Sequence, residues 1–475
     1  MADPLERRDE LRATLELAAG AATDYVESLP AEPVMRPGAE AALEGWEPEL
    51  PEEGDGALEA LGELIGRADQ SASRSSGPRF FHFVMGGGTP AALAADWMAS
   101  ALDQVAFAWA SSPLAARLES IATRWLRDLF DLAPEHTGVL VSGATMANFT
   151  GLAAARSWWA ERLGVDVDAA GLAGLPAPRV LTGGYVHPSA VQAAGMLGLG
   201  RANVRRLTRD DLGRLDLDAL ERELGTGEPA IVIANAGEVN TGDFDPLADV
   251  AALTSASDAW LHVDGEFGLF ARLAPESRHL TDGIERADSI AADAHKWLNV
   301  PYDCGFAFVR EPRRLATAMG VDAAYLPSPD DPRPSPGFLT PENSRRARAL
   351  AVWATLRAYG RNGHRAMVER HLALARRLGE RVDREPALER LADVNLNIVC
   401  FRARPDGVAE GQLDELNAEL GKALLRDGRV FAGTTTYDGK VALRPAIVNW
   451  QTTETEIDLL ADVVLELLDE LRRNR

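Results

Sequence analysis

Between residues 138 and 309 the chain repeats one rhythm: a short apolar run, a turn, then a helical pattern. The apolar runs fall at 138–142, 180–183, 230–234, 260–263, 289–292 and 305–309. Short continuous apolar runs belong to strands buried on both faces, and the helical stretches between them supply the crossovers that parallel strands need. The rhythm predicts an α/β fold with a mostly parallel central sheet. It also says where chemistry belongs, because ligands of open α/β sheets sit beyond the carboxyl ends of the strands.

The flanking sequence is organised differently. Residues 1–30 read as an amphipathic helix, with Leu5, Leu11, Leu15 and Leu17 among charges, and 31–56 as an extended arm rich in Pro, Glu and Gly. Helices are expected near 57–69, 91–103 and 113–131, around the unusual run from Phe80 through Gly86, Gly87 and Gly88 to Pro90. After the sheet region come a Pro- and Asp-rich loop at 322–343, helices over 344–380, strands at 395–402 and 440–448, and a last helix at 454–473. The expected division is an N-terminal helical arm (1–90) that wraps a second subunit, a large domain (91–350) and a small C-terminal α+β domain (351–475).

Composition excludes several classes. A formal net charge of −23 argues against nucleic acid as a partner. No stretch is long and apolar enough to span a bilayer, and residues 1–19 lack an apolar signal core. Two cysteines, Cys304 and Cys400, give no disulfide framework, so a cytoplasmic location is expected. Nearly every basic residue is arginine; the lysines are Lys296, Lys422 and Lys440, a short list of possible amine nucleophiles.

One of those lysines lies at a strand end. The run Trp260-Leu261-His262-Val263 ends in Asp264-Gly265-Glu266, and a second such strand ends Asp293-Ala294-His295-Lys296-Trp297. Taken singly, Asp264 is an ordinary turn carboxylate and Lys296 an ordinary surface lysine. Together they deliver an acid and an amine to one sheet edge. Pyridoxal phosphate (PLP) needs this pair: the amine bonds the cofactor as a Schiff base, and the acid keeps the pyridine nitrogen protonated. A third strand runs into Ser142-Gly143-Ala144-Thr145, a small-residue turn opening a helix, whose amide groups suit a phosphate. His187 follows a fourth strand, where an imidazole can stack on a flat ring. The turn has no Gly-Lys-Ser/Thr of a nucleotide-binding loop and no Gly-x-Gly-x-x-Gly of a dinucleotide site.

In combination these segments resemble the group II PLP-dependent decarboxylases, which include aromatic-L-amino-acid, tyrosine and glutamate decarboxylases. The similarity spans roughly 78–450. It includes Pro78-Arg79-Phe80-Phe81, the run from Phe107 through Trp109 to Pro113, and the string from His262 through Cys304. The resemblance implies PLP fold type I (aspartate-aminotransferase-like), a homodimer with its site at the interface, and decarboxylation of a small-molecule amino acid, aromatic by the likeness of 107–113. It implies Lys296 as the Schiff-base lysine, Asp264 as partner of the pyridine nitrogen and His187 stacked on the ring. Ala144 and Thr145 would hold the phosphate, His295 would lie beside phosphate or substrate, and Arg444 would meet the substrate carboxylate. Phe80, Phe107 and Trp109 are candidate walls of the substrate pocket, with plain core packing as their ordinary alternative.

Two departures bear on function. Relatives usually have alanine two residues after the aspartate, where this chain has Glu266; a carboxylate there needs pairing or a proton, or turns toward substrate or an arginine. The loop at 322–343 has Tyr325 early but Ser335-Pro336-Gly337-Phe338-Leu339 in its centre. Many relatives place a tyrosine in this loop, and its change to phenylalanine is associated with oxygen-dependent aldehyde synthesis. An aldehyde synthase, another PLP lyase or an aminotransferase is therefore the alternative chemistry, and a non-catalytic dimeric relative the alternative class.

Overall fold

The protein is described by a computed structural model over residues 10–320 and 332–474. Tyr325 lies outside the described residues. The central sheet has seven strands: β1 (Thr137–Val141), β2 (Arg179–Thr182), β3 (Val204–Arg206), β4 (Ala230–Asn235), β5 (Trp260–Asp264), β6 (Ser289–Asp293) and β7 (Gly305–Val309). They lie side by side in the order β1-β7-β6-β5-β4-β2-β3. β7 runs antiparallel to both neighbours, and the remaining pairs are parallel. Every residue of β4, β5, β6 and β7 is buried, which explains their unbroken apolar sequence. The expectation of a mostly parallel central sheet is met. The six expected strands form, and a seventh, β3, was not foreseen: it is a three-residue edge strand whose Val-Arg-Arg sequence has no apolar run.

Helices cover both faces. In chain order the first five are α1 (Glu10–Ser28), α2 (Ala57–Ser71), α3 (Pro90–Leu102), α4 (Pro113–Leu129) and α5 (Ala144–Arg162). Thr89 and Ser112 cap α3 and α4 through side-chain oxygens, each followed by proline at the first helical position. α5 is buried on nearly every side, from Ala147 to Trp159, because sheet and helices enclose it. One turn along it, Gly151 is required: a Cβ there would lie 2.7 Å from the His262 ring.

Residues 29–56 form turns without a regular element, and they are tied to their own chain. The Val34 amide donates to the Gly428 carbonyl (2.7 Å), and the Arg74 amide to the Val34 carbonyl (2.8 Å).

The C-terminal part carries a second, fully antiparallel sheet made of β8 (Leu388–Arg390), β9 (Phe401–Ala403), β10 (Thr434–Tyr437) and β11 (Lys440–Leu443). Its apolar core also takes in Phe81. The strands expected over 395–402 and 440–448 shorten to β9 and β11. Pro445 has no amide proton for a ladder, and the chain beyond it pairs only through isolated bonds such as Ile447 N–H to the Asn397 carbonyl. The last helix, Glu454–Arg473, forms where expected, closed by a capping box of Thr453 and Glu456.

Candidate active site

The site is built at the carboxyl ends of β5 and β6, which are parallel neighbours with Asp264 opposite Ala291. Parallel pairing makes both chains leave the sheet on the same side. Asp264 ends β5, and Lys296 stands on the turn after β6. Both are buried, at 4% and 7% exposure.

The turn that carries Lys296 is over-determined. The Ala294 and His295 amides both donate to the Cys304 carbonyl at 3.0 Å. The Cys304 amide in turn donates to His295 Nδ1 (3.2 Å). Asn299, in the left-handed region at φ 57°, donates through Nδ2 to the carbonyls of Trp297 (3.0 Å) and Val448 (2.9 Å). The Trp297 indole donates to His371 Nδ1 (2.8 Å). Gly86 passes so close that a Cβ would sit 1.8 Å from the Lys296 carbonyl oxygen, which accounts for the first glycine of the triple-glycine run.

Lys296 Nζ is in direct contact with Glu266 Oε1, and Asp293 Oδ2 lies 3.8 Å away. The position where relatives carry alanine thus holds the ion-pair partner of the site lysine. Burial pushes the Glu266 carboxyl up, but Lys296 and then His187 outweigh it, and the net direction is down. Asp264 goes the other way. Burial, then the charge of Glu266, pushes its carboxyl up to about 6, against the pull of His187 and a hydrogen bond from Asn148.

His187 caps the helix Pro188–Met196, with Nδ1 accepting from the Ser189 amide (3.3 Å) and 2.7 Å from Ser189 Oγ. His295 presents Nε2 to Asp293 Oδ2 at 3.3 Å and stacks on Tyr302 at 4.0 Å between ring centroids. At the first turn of α5, the Ala144 amide donates to Asp293 Oδ1 at 2.6 Å. The Thr145 and Met146 amides have no intrahelical acceptor, as in any first turn. Gly143 leaves the room a Cβ would fill, 3.1 Å from the His295 ring.

Arg444 is buried at 8% exposure, and its Nη1 has no hydrogen-bond partner. Burial lowers its pKa, opposed by Glu238 and Glu266. The aromatic candidates take their contacts elsewhere: Phe80 with Phe431 (5.0 Å), Phe107 with Phe338 (5.1 Å), and Trp109 with the Arg117 guanidinium (5.2 Å).

Lys296, Glu266, Asp264, His187, His295 and the α5 turn therefore form one cluster. Sequence reasoning missed two members. Asn148 donates to Asp264 Oδ2 at 2.9 Å, and Asp293 bridges α5 and the lysine turn. Asn148 carried one legible signal, its place one turn beyond the small-residue cradle on the same helix. The donor set fits pyridoxal phosphate: a buried amine, a carboxylate on the adjacent strand end, an imidazole at the next excursion, and a helix N-terminus with spare amides. Among the described residues no group of histidine, cysteine and carboxylate side chains is arranged to hold a metal ion.

The chain is similar to proteins of known activity over nearly its whole length. An aromatic-L-amino-acid decarboxylase from Bacillus atrophaeus is 29% identical over 431 residues, covering 89% of this chain and 88% of that protein. An L-2,4-diaminobutyrate decarboxylase from Rhizobium meliloti is 31% identical over 437 residues, covering 89% and 84%. Among solved structures, the Oryza sativa TDC with PLP and tryptamine superposes with a TM-score of 0.88 at 27% identity, covering 98% of this chain and 99% of that one. Residues 40–404 match the model of the pyridoxal-dependent decarboxylase conserved domain, and the chain belongs to that family of PLP-dependent lyases acting on amino acids.

Proposed function

We propose that this protein decarboxylates an aromatic L-amino acid to the corresponding amine and carbon dioxide. The observation that carries the reading is the pairing of Lys296 and Asp264 on adjacent strand ends, with a buried, incompletely partnered Arg444 within the field of Glu266 to seat a carboxylate. Bound PLP supplies an electron sink for the bond that breaks. Lys296 would hold the cofactor through its amine. Asp264, as an anion, would support a proton at the pyridine nitrogen, and His187 would stand against the ring. The first turn of α5, with the Thr145 hydroxyl, takes the phosphate; Ala144 contributes little there, since its amide already serves Asp293. Arg444 orients the substrate carboxylate. His295, linked to Asp293, faces the same space. The aromatic preference rests on the relatives that decarboxylate aromatic substrates and on the Phe107–Trp109 segment.

The partner proposed is a second copy of this chain. Trp97, Met98 and Leu102 on α3, with Val105 and Leu114, stand 40–53% exposed, an apolar patch of the kind that marks an interface. Trp109, half-buried between Val105 and Leu114 in the sequence, would reach the partner's site, with Phe107 buried behind it against Phe338.

A second reading, aldehyde formation with oxygen, draws on Phe338. It is buried against Phe107 and offers a phenyl where a phenol is expected. The deciding experiment is a panel of aromatic and cationic L-amino acids on the PLP-loaded protein, scoring carbon dioxide, amine, aldehyde and peroxide. Amine with carbon dioxide from an aromatic substrate is expected. Aldehyde with peroxide would replace it by the second reading, and turnover of cationic substrates alone would remove the aromatic preference. Lys296→Ala should lose the visible absorbance of bound PLP.

A further inference from the structure

Behind Asp264 lies a row of buried polar side chains that the reaction itself does not use. Asn148 Nδ2 donates to Asp264 Oδ2 at 2.9 Å. Asn148 Oδ1 lies 2.8 Å from His262 Nε2, and His262 Nδ1 lies 2.8 Å from Ser289 Oγ. The Trp260 indole donates to Ser289 Oγ at 2.9 Å. Asn148, His262 and Ser289 are fully buried, and Trp260 is 2% exposed.

With Asp264 ionised at its end, this row has one consistent set of protons. An indole N–H can only donate, so Ser289 accepts from Trp260, and its own hydroxyl proton is free to point to His262. His262 accepts that proton at Nδ1. It is a neutral imidazole, since burial lowers its pKa to about 3, so it carries its proton at Nε2 and donates to Asn148 Oδ1. The amide of Asn148 then faces Asp264 with its NH2. The row runs from a group that can only donate to one that, when ionised, can only accept. A proton on Asp264 Oδ2 would set two donors face to face at one junction.

We propose that Trp260, Ser289, His262 and Asn148 form a one-directional hydrogen-bond chain that positions Asp264 and holds it as an anion toward the pyridine nitrogen. The proposal rests on the PLP site described above. These are positioning residues, since they act through Asp264. The chain has an opponent in this protein. Glu266, two residues on, places a second carboxylate beside Asp264; Lys296 and His187 face the pair as cations or donors, and His295 and Asp293 complete the charged surroundings. Burial and Glu266 both favour the protonated acid, and the chain works against them.

The test is PLP binding to the apoprotein, without substrate, titrated by absorbance between about pH 5.5 and 9. Ser289→Ala cuts the chain at its smallest member. The imidazole is then free to reverse, the Asn148 amide to turn, and Asp264 to take a proton. The midpoint of the acid limb should move up by about one unit, so that PLP binds roughly tenfold more weakly near pH 6.5 yet about equally at pH 9. His262→Leu should do the same, and His262→Gln, which keeps one donor and one acceptor, should restore the wild-type midpoint. Unmoved midpoints in both Ser289→Ala and His262→Leu overturn the proposal. So does a weakening equal at all pH values, the mark of a merely structural role. Should His262→Leu fail to fold, Ser289→Ala decides. A wild-type protein that binds no PLP would remove the site assignment itself, a failure distinguishable from the others.

Discussion

Glu266 and Lys296 form a direct ion pair inside the site, the carboxylate rising from the turn after β5 and the amine from the turn after β6. The pair must open before Lys296 can bond a cofactor carbonyl, so Glu266 opposes loading while it stabilises the apoprotein. Glu266→Ala should therefore split two measurements. Denaturant unfolding of the apoprotein should show a loss of about 1–3 kcal/mol, below the ~3–5 kcal/mol of a broken buried pair because a lysine can shed its proton. PLP affinity should rise by roughly tenfold, equivalent to ~1.4 kcal/mol. Weaker PLP binding in the variant would show that Glu266 helps to hold the cofactor.

Burial, and then the charge of Glu266, push the Asp264 carboxyl up to about 6, above the usual carboxylate range. The folded state therefore binds this proton more tightly than the unfolded chain. The resulting stability is fully present below about pH 4 and is lost as pH rises through about 6. Asp264→Asn escapes the loss. The variant apoprotein should exceed wild type at pH 8 by up to about 3 kcal/mol, at ~1.4 kcal/mol per unit, and match it near pH 4. Thermal melts at the two pH values check this; a variant less stable at pH 8 would mean that the site's cations already compensate the buried charge.

Arg345 and Glu119 are the most deeply buried ion pair near the site, at 0% and 3% side-chain exposure. Both guanidinium arms meet the carboxylate, at 3.0 and 2.8 Å, while Nη1 also donates to the Ala106 carbonyl (2.9 Å). Glu119 further accepts from the Leu140 amide in β1 (3.2 Å). Removing one partner strands the other charge, so Arg345→Met should cost about 3–5 kcal/mol in denaturant unfolding. A change under ~1 kcal/mol would mean that water reaches Glu119 in the variant.

Arg444 has a buried nitrogen without a partner and a place within the field of Glu266. If it orients the substrate carboxylate, Arg444→Gln should lower kcat/KM by about thirtyfold or more, from the ~2–5 kcal/mol of a truncated buried charge contact. Steady-state kinetics on the preferred amino acid measure it. PLP affinity should change little, and a parallel loss of PLP binding would assign Arg444 to the cofactor instead.

Much of this was legible in the residues. The apolar runs at 260–263 and 289–292 announced strands, and Asp264 and Lys296 at their ends announced the chemistry, because a buried strand must be apolar and its end is where a polar group can face a ligand. The last helix was legible for a similar local reason, its capping box standing in the sequence as Thr453 and Glu456. Edge strands were not. β3 and β10 lie at sheet edges, partly exposed and without an apolar run, and β11 stops where proline withholds a donor.

Sequence alone determined that an amine and an acid would leave one sheet edge, since strand direction and length follow from local patterning. Tertiary structure decided what those groups face. Glu266 could have met substrate, arginine or solvent; packing of two turns gave it Lys296. Asn148, His262, Ser289 and Trp260 lie on three separate elements, and only their folding together produces a chain ending on Asp264. Hydrogen bonds between distant residues depend on angles and distances of a few tenths of an ångström, which no local pattern encodes.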